Sequence, residues 1–270
     1  MKKFLAIFLT AAMALSMVGC GSKETSTSDS ASSDTKKFVM GIDPEYPPFS
    51  YMGEDGNYTG FDVEVCRAAC EELGWEFEVF GVNWDQKLIQ LDAGECDCVW
   101  SGMTILDSMR EAGYVISKPY FNNEQVFLVK ESTGFKSSED IKGKDIAVML
   151  GTSGESLLNE DLADMAATFN NIISCESFLK CFTELAGNSV DAVFVDYPVA
   201  AKYAAENEGY YIIDEDFGAE EYGIAFRSSD TELCKQMDDA IAKLVENGTY
   251  AKIAAKEEYS DIVDNLVFLK

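Results

Sequence analysis

Residues 91–102, LDAGECDCVWSG, and residues 185–196, LAGNSVDAVFVD, share one order of features. Each contains the end of a helical pattern, a glycine, an aspartate, an apolar run typical of a buried strand, and then a polar residue. Open α/β sheets bind ligands at the carboxyl ends of their strands. The repeat therefore predicts two similar α/β units whose strand ends face each other across a cleft.

The alternation of strands and helices continues on both sides of these two stretches. From Lys37 onward, short apolar runs alternate with helical patterns, which predicts an α/β fold. Residues 61–74, FDVEVCRAACEELG, place apolar side chains on one helical face and stop at Gly74. Residues 154–169 and 231–259 are each predicted to form one helix.

The composition excludes several classes of function. The chain has 48 acidic residues against 21 lysines and arginines, a formal charge of −27, and no histidine. Nucleic acid binding needs basic patches, so it is not expected. The absence of histidine removes Ser-His-Asp and Cys-His catalysis and the commonest zinc ligand. We predict no cofactor and no metal.

The N-terminus has the pattern of a lipoprotein signal peptide. A basic start, MKK, precedes an apolar run of fifteen residues, which is short for a membrane span. The sequence Met17-Val18-Gly19-Cys20 resembles a bacterial lipobox, which implies a signal peptide at 1–19 and lipidation of Cys20. The Ser/Thr-rich residues 20–37 are predicted to form a flexible tether.

Seven cysteines follow Cys20, and their number forbids complete pairing within the chain. Cys66 and Cys70 share a helical face, and Cys96 and Cys98 share a strand face. We predict that the seven are mostly reduced and buried as small core residues. A thiolate metal site is the alternative, although the chain lacks CxxC spacing.

Several motifs together resemble the extracytoplasmic solute-binding proteins of amino-acid ABC importers, the polar amino-acid (family 3) group. Their order and spacing carry the resemblance across residues 37–260. The family's architecture implies a two-lobed, periplasmic-binding-protein-like fold of type II with a discontinuous first lobe. Lobe one would take 37–127 and 218–270, lobe two 128–217, and the hinge would lie near 126–130 and 214–221. The motifs are GIDPEYPPFSY (41–51), GNYTGFDVEV (56–65), NWDQKLIQLDAGECD (83–97), SGMTI (101–105), the spacing from Arg110 to SKPY (117–120), EDIKGKDIAVMLGTSGES (139–156), VDAVFVDYPVA (190–200) and NGTYAKI (247–253).

The resemblance assigns the two ends of an amino-acid backbone to two charged residues. Arg110, one of three arginines in the chain, would bind the α-carboxylate, since a guanidinium binds carboxylates bidentately and keeps its charge. Asp196 would bind the α-ammonium, and a carboxylate after four apolar residues is costly to bury unless it is paired. The alternatives are a surface role for Arg110 and a helix N-cap role for Asp196.

The other site residues implied by the resemblance contact the backbone or the side chain of the ligand. Family members usually read T-I-T-P-E-R, five residues from the first Thr to the Arg, whereas Thr104 and Arg110 are six apart. Ser108 is a candidate for the missing second hydroxyl. The implied residues are Gly102 and Thr104 (backbone and hydroxyl contacts), Thr152 and Ser153 (N–H groups, or an ordinary N-cap), and Asp43, Tyr46 and Trp84 (side-chain pocket, or for the two aromatics core packing).

The resemblance implies an extracytoplasmic, monomeric receptor that binds a free L-amino acid and docks on an ABC permease and its ATPase. Polar, cationic or cystine-like ligands are expected, because Asp43 disfavours acidic side chains and no pocket lysine is expected to neutralise them. The membrane would be reached only through the lipid anchor. An enzyme of the cyclohexadienyl or arogenate dehydratase type, which shares this fold, and a sensor module with a separate partner are the alternatives.

Overall fold

The computed structural model describes residues 35–270. The predicted signal peptide, Cys20 and most of the predicted tether lie outside these residues. None of the helices within 35–270 combines the length and apolar character needed to span a bilayer.

The strands form one large sheet and one small sheet, and with the helices they confirm the predicted α/β class. The small sheet, β2-β3-β4, lies within residues 45–59, between β1 and the first helix, and was not predicted. In chain order the strands are β1 (Lys37–Ile42), β2 (Glu45–Tyr46), β3 (Ser50–Met52), β4 (Tyr58–Thr59), β5 (Glu76–Gly81), β6 (Cys98–Thr104), β7 (Val115–Ile116), β8 (Phe121–Lys130), β9 (Asp145–Met149), β10 (Asn171–Cys175), β11 (Ala192–Asp196), β12 (Tyr210–Ile212) and β13 (Ala219–Phe226).

The large sheet has the order β10-β9-β11-β8-β13-β6-β1-β5, with β12 paired to β8 and β7 paired to β13. The outer strands on each side are parallel to their neighbours, whereas β8 is antiparallel to both β11 and β13. The first part of β8, from Phe121 to Glu124, pairs with β13, and the part from Gln125 to Val129 pairs with β11. This one strand therefore joins the two halves of the sheet.

Two of the predicted helices are broken in the structure. Residues 154–169 contain α4 and α5 rather than one helix, and the C-terminal pattern contains α8 and α9. Gly248, between α8 and α9, has a φ of +79°, a left-handed conformation that ends a helix and that glycine adopts readily. The helices are α1 (Phe61–Leu73), α2 (Lys87–Asp92), α3 (Asp107–Glu111), α4 (Ser153–Asn159), α5 (Ala163–Ala166), α6 (Phe178–Ala186), α7 (Tyr197–Glu206), α8 (Thr231–Glu246) and α9 (Thr249–Ala254).

The cysteines lie in the packed interior. All seven that follow Cys20 are buried and unpaired, as their apolar surroundings in the sequence predicted. Within residues 35–270 no group of three or more Cys, Asp or Glu side chains is arranged to hold a metal ion. The oxidation state of the thiols stays a prediction.

The carboxyl ends of four buried strands meet along one line on the molecule. Asp43 follows β1, Thr104 ends β6, Asp196 ends β11, and the turn after β9 leads into Thr152. The apolar residues of these strands are almost completely buried, so the strands are fixed and the polar residues at their ends are held in place. The fold thereby brings together positions that are up to 153 residues apart, as the numbers of Asp43 and Asp196 show.

Candidate functional site

One cavity of about 150 Å³ lies along these strand ends. Eight of the nine predicted ligand-binding residues line it. Ser108, the candidate for the missing hydroxyl, lines it as well. The eight are Asp43, Tyr46, Trp84, Gly102, Thr104, Thr152, Ser153 and Asp196.

Arg110 is the predicted residue that the structure does not place in the cavity wall. It lies in α3, and its side chain is exposed. The preceding residue, Met109, is buried and lines the cavity. Neighbouring helical residues point about 100° apart, so a helix that turns Met109 inward turns Arg110 outward. Within residues 35–270 Arg110 makes no salt bridge.

Asp196 lies at one end of the cavity and is only 5% exposed. Its Oδ1 accepts hydrogen bonds from Asn123 Nδ2 at 2.7 Å, Gln125 Nε2 at 2.7 Å and the Tyr222 hydroxyl at 3.0 Å. Asn123 and Gln125 are alternate residues of β8 and therefore face the same side of the sheet. The side chain does not cap α7, so the N-cap alternative for Asp196 is not observed.

A second carboxylate, Glu220 of β13, lies beside Asp196 and was not predicted. Glu220 Oε1 accepts from Gln125 Nε2 at 2.8 Å, from Ser153 Oγ at 3.3 Å and from Asn123 Nδ2. Burial, followed by the charge of Glu220, raises the pKa of Asp196 to about 7. Asp196 is buried and Glu220 is partly buried, and two carboxylates that share amide donors form a strong acceptor for a cation.

The floor of the cavity requires a glycine at position 102. Gly102 has a φ of +52°, and a Cβ there would lie 2.2 Å from Cε1 of Tyr46. Its N–H donates to Asp62 Oδ2 at 2.8 Å, and the Tyr120 hydroxyl donates to the same oxygen at 2.7 Å. Burial raises the pKa of Asp62 to about 7. The close approach of Tyr46 to the backbone shapes the space in which a ligand backbone would lie.

Thr152 and Ser153 have different roles in the structure. Thr152 is an ordinary N-cap of α4, since its Oγ1 accepts from Glu155 N at 3.3 Å and donates to Met149 O at 2.7 Å. Ser153 Oγ instead receives a hydrogen bond from Thr104 Oγ1 at 3.1 Å. This hydrogen bond links Thr104, at the end of β6, to Ser153, at the start of α4, across the cavity.

The cavity wall also contains a lysine, contrary to our expectation that the pocket would have none. Lys87, at the start of α2, lines the cavity with Asp43 and Trp84. Burial lowers the pKa of Lys87 to about 8 and raises that of Asp43 to about 6. The signal was present in the sequence, because Lys87 follows Trp84 by three residues and such residues share a helical face.

The geometry can be compared with known proteins. Residues 38–257 match the bacterial extracellular solute-binding proteins, family 3. The chain belongs to this family. Because the match covers most of the chain, the resemblance found in the sequence is confirmed.

Two named relatives of this family 3 protein are amino-acid-binding proteins. A probable histidine-binding protein of Neisseria gonorrhoeae is 32% identical, with 95% of each chain covered. The L-cystine-binding protein TcyJ of Escherichia coli K12 is 30% identical, with 83% of each chain covered. The crystal structure of a mutant of ArgBP from T. maritima has a TM-score of 0.74 at 29% identity, covering 81% of this chain and 93% of that one. The fold is accordingly the two-lobed, type II periplasmic-binding-protein architecture.

Proposed function

We propose that this family 3 protein is the substrate-binding component of an ABC importer and binds one free amino acid in the cavity. The observation that carries the proposal is a pair of carboxylates that share amide donors: Asp196, buried in the wall of a small cavity, and the partly buried Glu220 beside it. An α-ammonium supplies the positive charge that these carboxylates lack. Lobe one would comprise 37–127 and 218–270, and lobe two 128–217, and the ligand would draw them together.

The remaining contacts of the ligand backbone follow from the same placement. The hydroxyls of Thr104 and Ser153 lie at the cavity wall, and each would donate to the α-carboxylate by turning from its present acceptor, which is Ser153 Oγ for Thr104 and Glu220 Oε1 for Ser153. Arg110 would reach this carboxylate by a change in its side-chain rotamer or in α3. The ligand side chain would then extend towards Asp43, Tyr46 and Trp84.

The proposed setting is the outer face of a bacterial cytoplasmic membrane. Lipidation of Cys20 would anchor a monomer there, and residues 20–37 would tether it within reach of a permease and its ATPase. The support is the lipobox-like sequence before Cys20. Mass spectrometry of the mature N-terminal peptide tests the anchor, and an unmodified mature N-terminus at any other residue would rule it out.

A thermal-shift screen tests the proposed function. The twenty amino acids, cystine and ornithine would be added to the purified protein, together with prephenate and arogenate. A ligand at 100 times its Kd stabilises a protein by about 2.7 kcal/mol, which raises the Tm by roughly 5–10 °C in a domain of this size. At least one amino acid should produce such a shift. The absence of a shift with every amino acid would contradict the proposal. Turnover of prephenate or arogenate by the purified protein, measured separately, would also contradict it.

The role proposed for Arg110 is tested by its replacement with lysine. Arg110→Lys keeps the charge but loses the bidentate geometry, so the Kd of the best amino acid should rise about tenfold. Calorimetry would measure it. The control is Arg67→Lys, at an exposed arginine that lies over the ring of Phe77 and not in the cavity wall. If Arg110→Lys and Arg67→Lys bind the amino acid with equal affinity, Arg110 is a surface residue without a role in binding.

A further inference from the structure

The side-chain end of the cavity presents a donor from Lys87. The Lys87 ammonium donates to Gly151 O at 2.7 Å and to Trp84 O at 3.1 Å, and it lies 4.6 Å from the centre of the Trp84 ring. An ammonium has three hydrogens, so one is left for a ligand. Because its two carbonyl partners come from separate segments, Lys87 is held in place at the cavity wall.

Asp43 presents an acceptor to the same end of the cavity. Its Oδ1 accepts from Glu45 N at 2.9 Å, and its Oδ2 has no hydrogen-bond partner within residues 35–270. The carboxylate is 5% exposed and lines the cavity. In the described part of the chain Asp43 and Lys87 form no direct salt bridge, although each acts on the charge of the other. The Lys87 ammonium and the Asp43 carboxylate are therefore both free to bind a polar group of a ligand.

We propose that Lys87 and Asp43 together select an amino acid whose side chain carries no net charge and both donates and accepts hydrogen bonds. The side chain would accept from Lys87 and donate to Asp43. This inference rests on the proposed function. A side chain with one positive charge would meet the Lys87 ammonium, and one with a negative charge would meet the Asp43 carboxylate.

Several side chains have this chemistry, including hydroxyls and the neutral imidazole of histidine. Two of them place a donor next to an acceptor at the end of a long side chain: a terminal amide, as in glutamine, and a second amino-acid head group, as in cystine. The side chains of arginine and lysine donate hydrogen bonds but do not accept them, although their positive charge suits the carboxylates of Asp43 and Asp196 in the cavity wall.

The test compares the ligand rankings of the wild type, Lys87→Met and Asp43→Asn by calorimetry. For the wild type, glutamine or cystine should bind at least tenfold more tightly than arginine, lysine or glutamate. The tighter of the two shows whether the cavity selects a terminal amide or a second amino-acid head group. Lys87→Met leaves Asp43 unopposed, so arginine and lysine should gain at least tenfold relative to the best wild-type ligand. Asp43→Asn should shift the ranking towards glutamate. Lys252→Met, at an exposed lysine that is not in the cavity wall, should keep the wild-type ranking.

The outcomes separate the two proposals. If no amino acid binds the wild type, the proposed function itself is wrong. If the wild type binds arginine or lysine most tightly, or if the ranking is the same in Lys87→Met and Asp43→Asn, the function stands and the role of Lys87 and Asp43 is overturned.

Discussion

Replacing Asp196 by asparagine should weaken amino-acid binding by roughly 100-fold, because the loss of one partner of a buried charge pair costs about 3 kcal/mol. The amide would keep the shape of the side chain but would leave the ligand ammonium with Glu220 as its remaining carboxylate. The donors of Asn123, Gln125 and Tyr222 all converge on Oδ1, an acceptor that asparagine retains. Calorimetry with the best ligand of the screen measures the change.

Two comparisons make this result specific. Asp161→Asn, at an exposed aspartate that does not line the cavity, should leave the affinity unchanged. The Tm of unliganded Asp196→Asn should equal or exceed that of the wild type, since the substitution removes the repulsion between Asp196 and Glu220. Wild-type affinity in Asp196→Asn would refute the assignment of the ammonium site.

Ligand affinity should fall as the pH is lowered through 7. In the proposed complex the ammonium would bind the ionised form of Asp196, whose pKa is raised to about 7 in the unliganded protein. Protonation below that pH must be reversed on binding, which costs about tenfold per pH unit, or roughly 100-fold between pH 8 and pH 5. The ionisable groups that face Asp196 are Glu220, Tyr222 and Tyr46, and the two tyrosines stay neutral in this range because burial raises their pKa values well above 10. Calorimetry at several pH values measures the slope.

The stability of the unliganded protein should change with pH in the opposite direction. The pKa values of Asp43, Asp62 and Asp196 are about 6, 7 and 7, all above the ordinary value of 3.8. Between these values the folded state binds more protons than the unfolded state, so the free energy of unfolding rises as the pH falls from 8 towards 5. Urea titrations measure this trend.

The pH dependence of the affinity has its own control. A Kd of the wild type that does not change with pH would contradict the affinity prediction, and in Asp196→Asn the dependence of the Kd on pH should be much weaker.

The sequence predicted the positions at the strand ends well, for a physical reason. An apolar run such as AVFV before Asp196 locates a buried strand and its carboxyl end, and the sheet then brings such ends together. Lys87 and Glu220 were missed because a charged residue in a helical or strand pattern is usually solvated. Their placement at the site depends on contacts with distant segments, here Gly151 for Lys87 and Ser153 for Glu220.

The breaks in the predicted helices and the outward direction of Arg110 depend on local geometry that the sequence pattern does not fix. The segment that contains Trp84 and Lys87 begins with a 3₁₀ turn at Trp84–Gln86 before α2, and the sequence pattern does not distinguish the two kinds of helix. α3 has only five residues, so its rotation is set by the burial of Met109 rather than by a long apolar stripe. The direction of Arg110 follows from that rotation.

The groups that surround Asp196 belong mainly to the neighbouring strands β8 and β13, with Asn123 and Glu220 directly opposite in register. The part of the cavity proposed for the ammonium is therefore built from paired strands, whereas the part proposed for the side chain relies on the contact of Lys87 with Gly151 from another segment. We expect the amino group to dock first, at a rate nearly the same for every amino acid. Discrimination between amino acids would then lie in residence time, so that a wrong ligand enters as fast as the right one and simply leaves sooner.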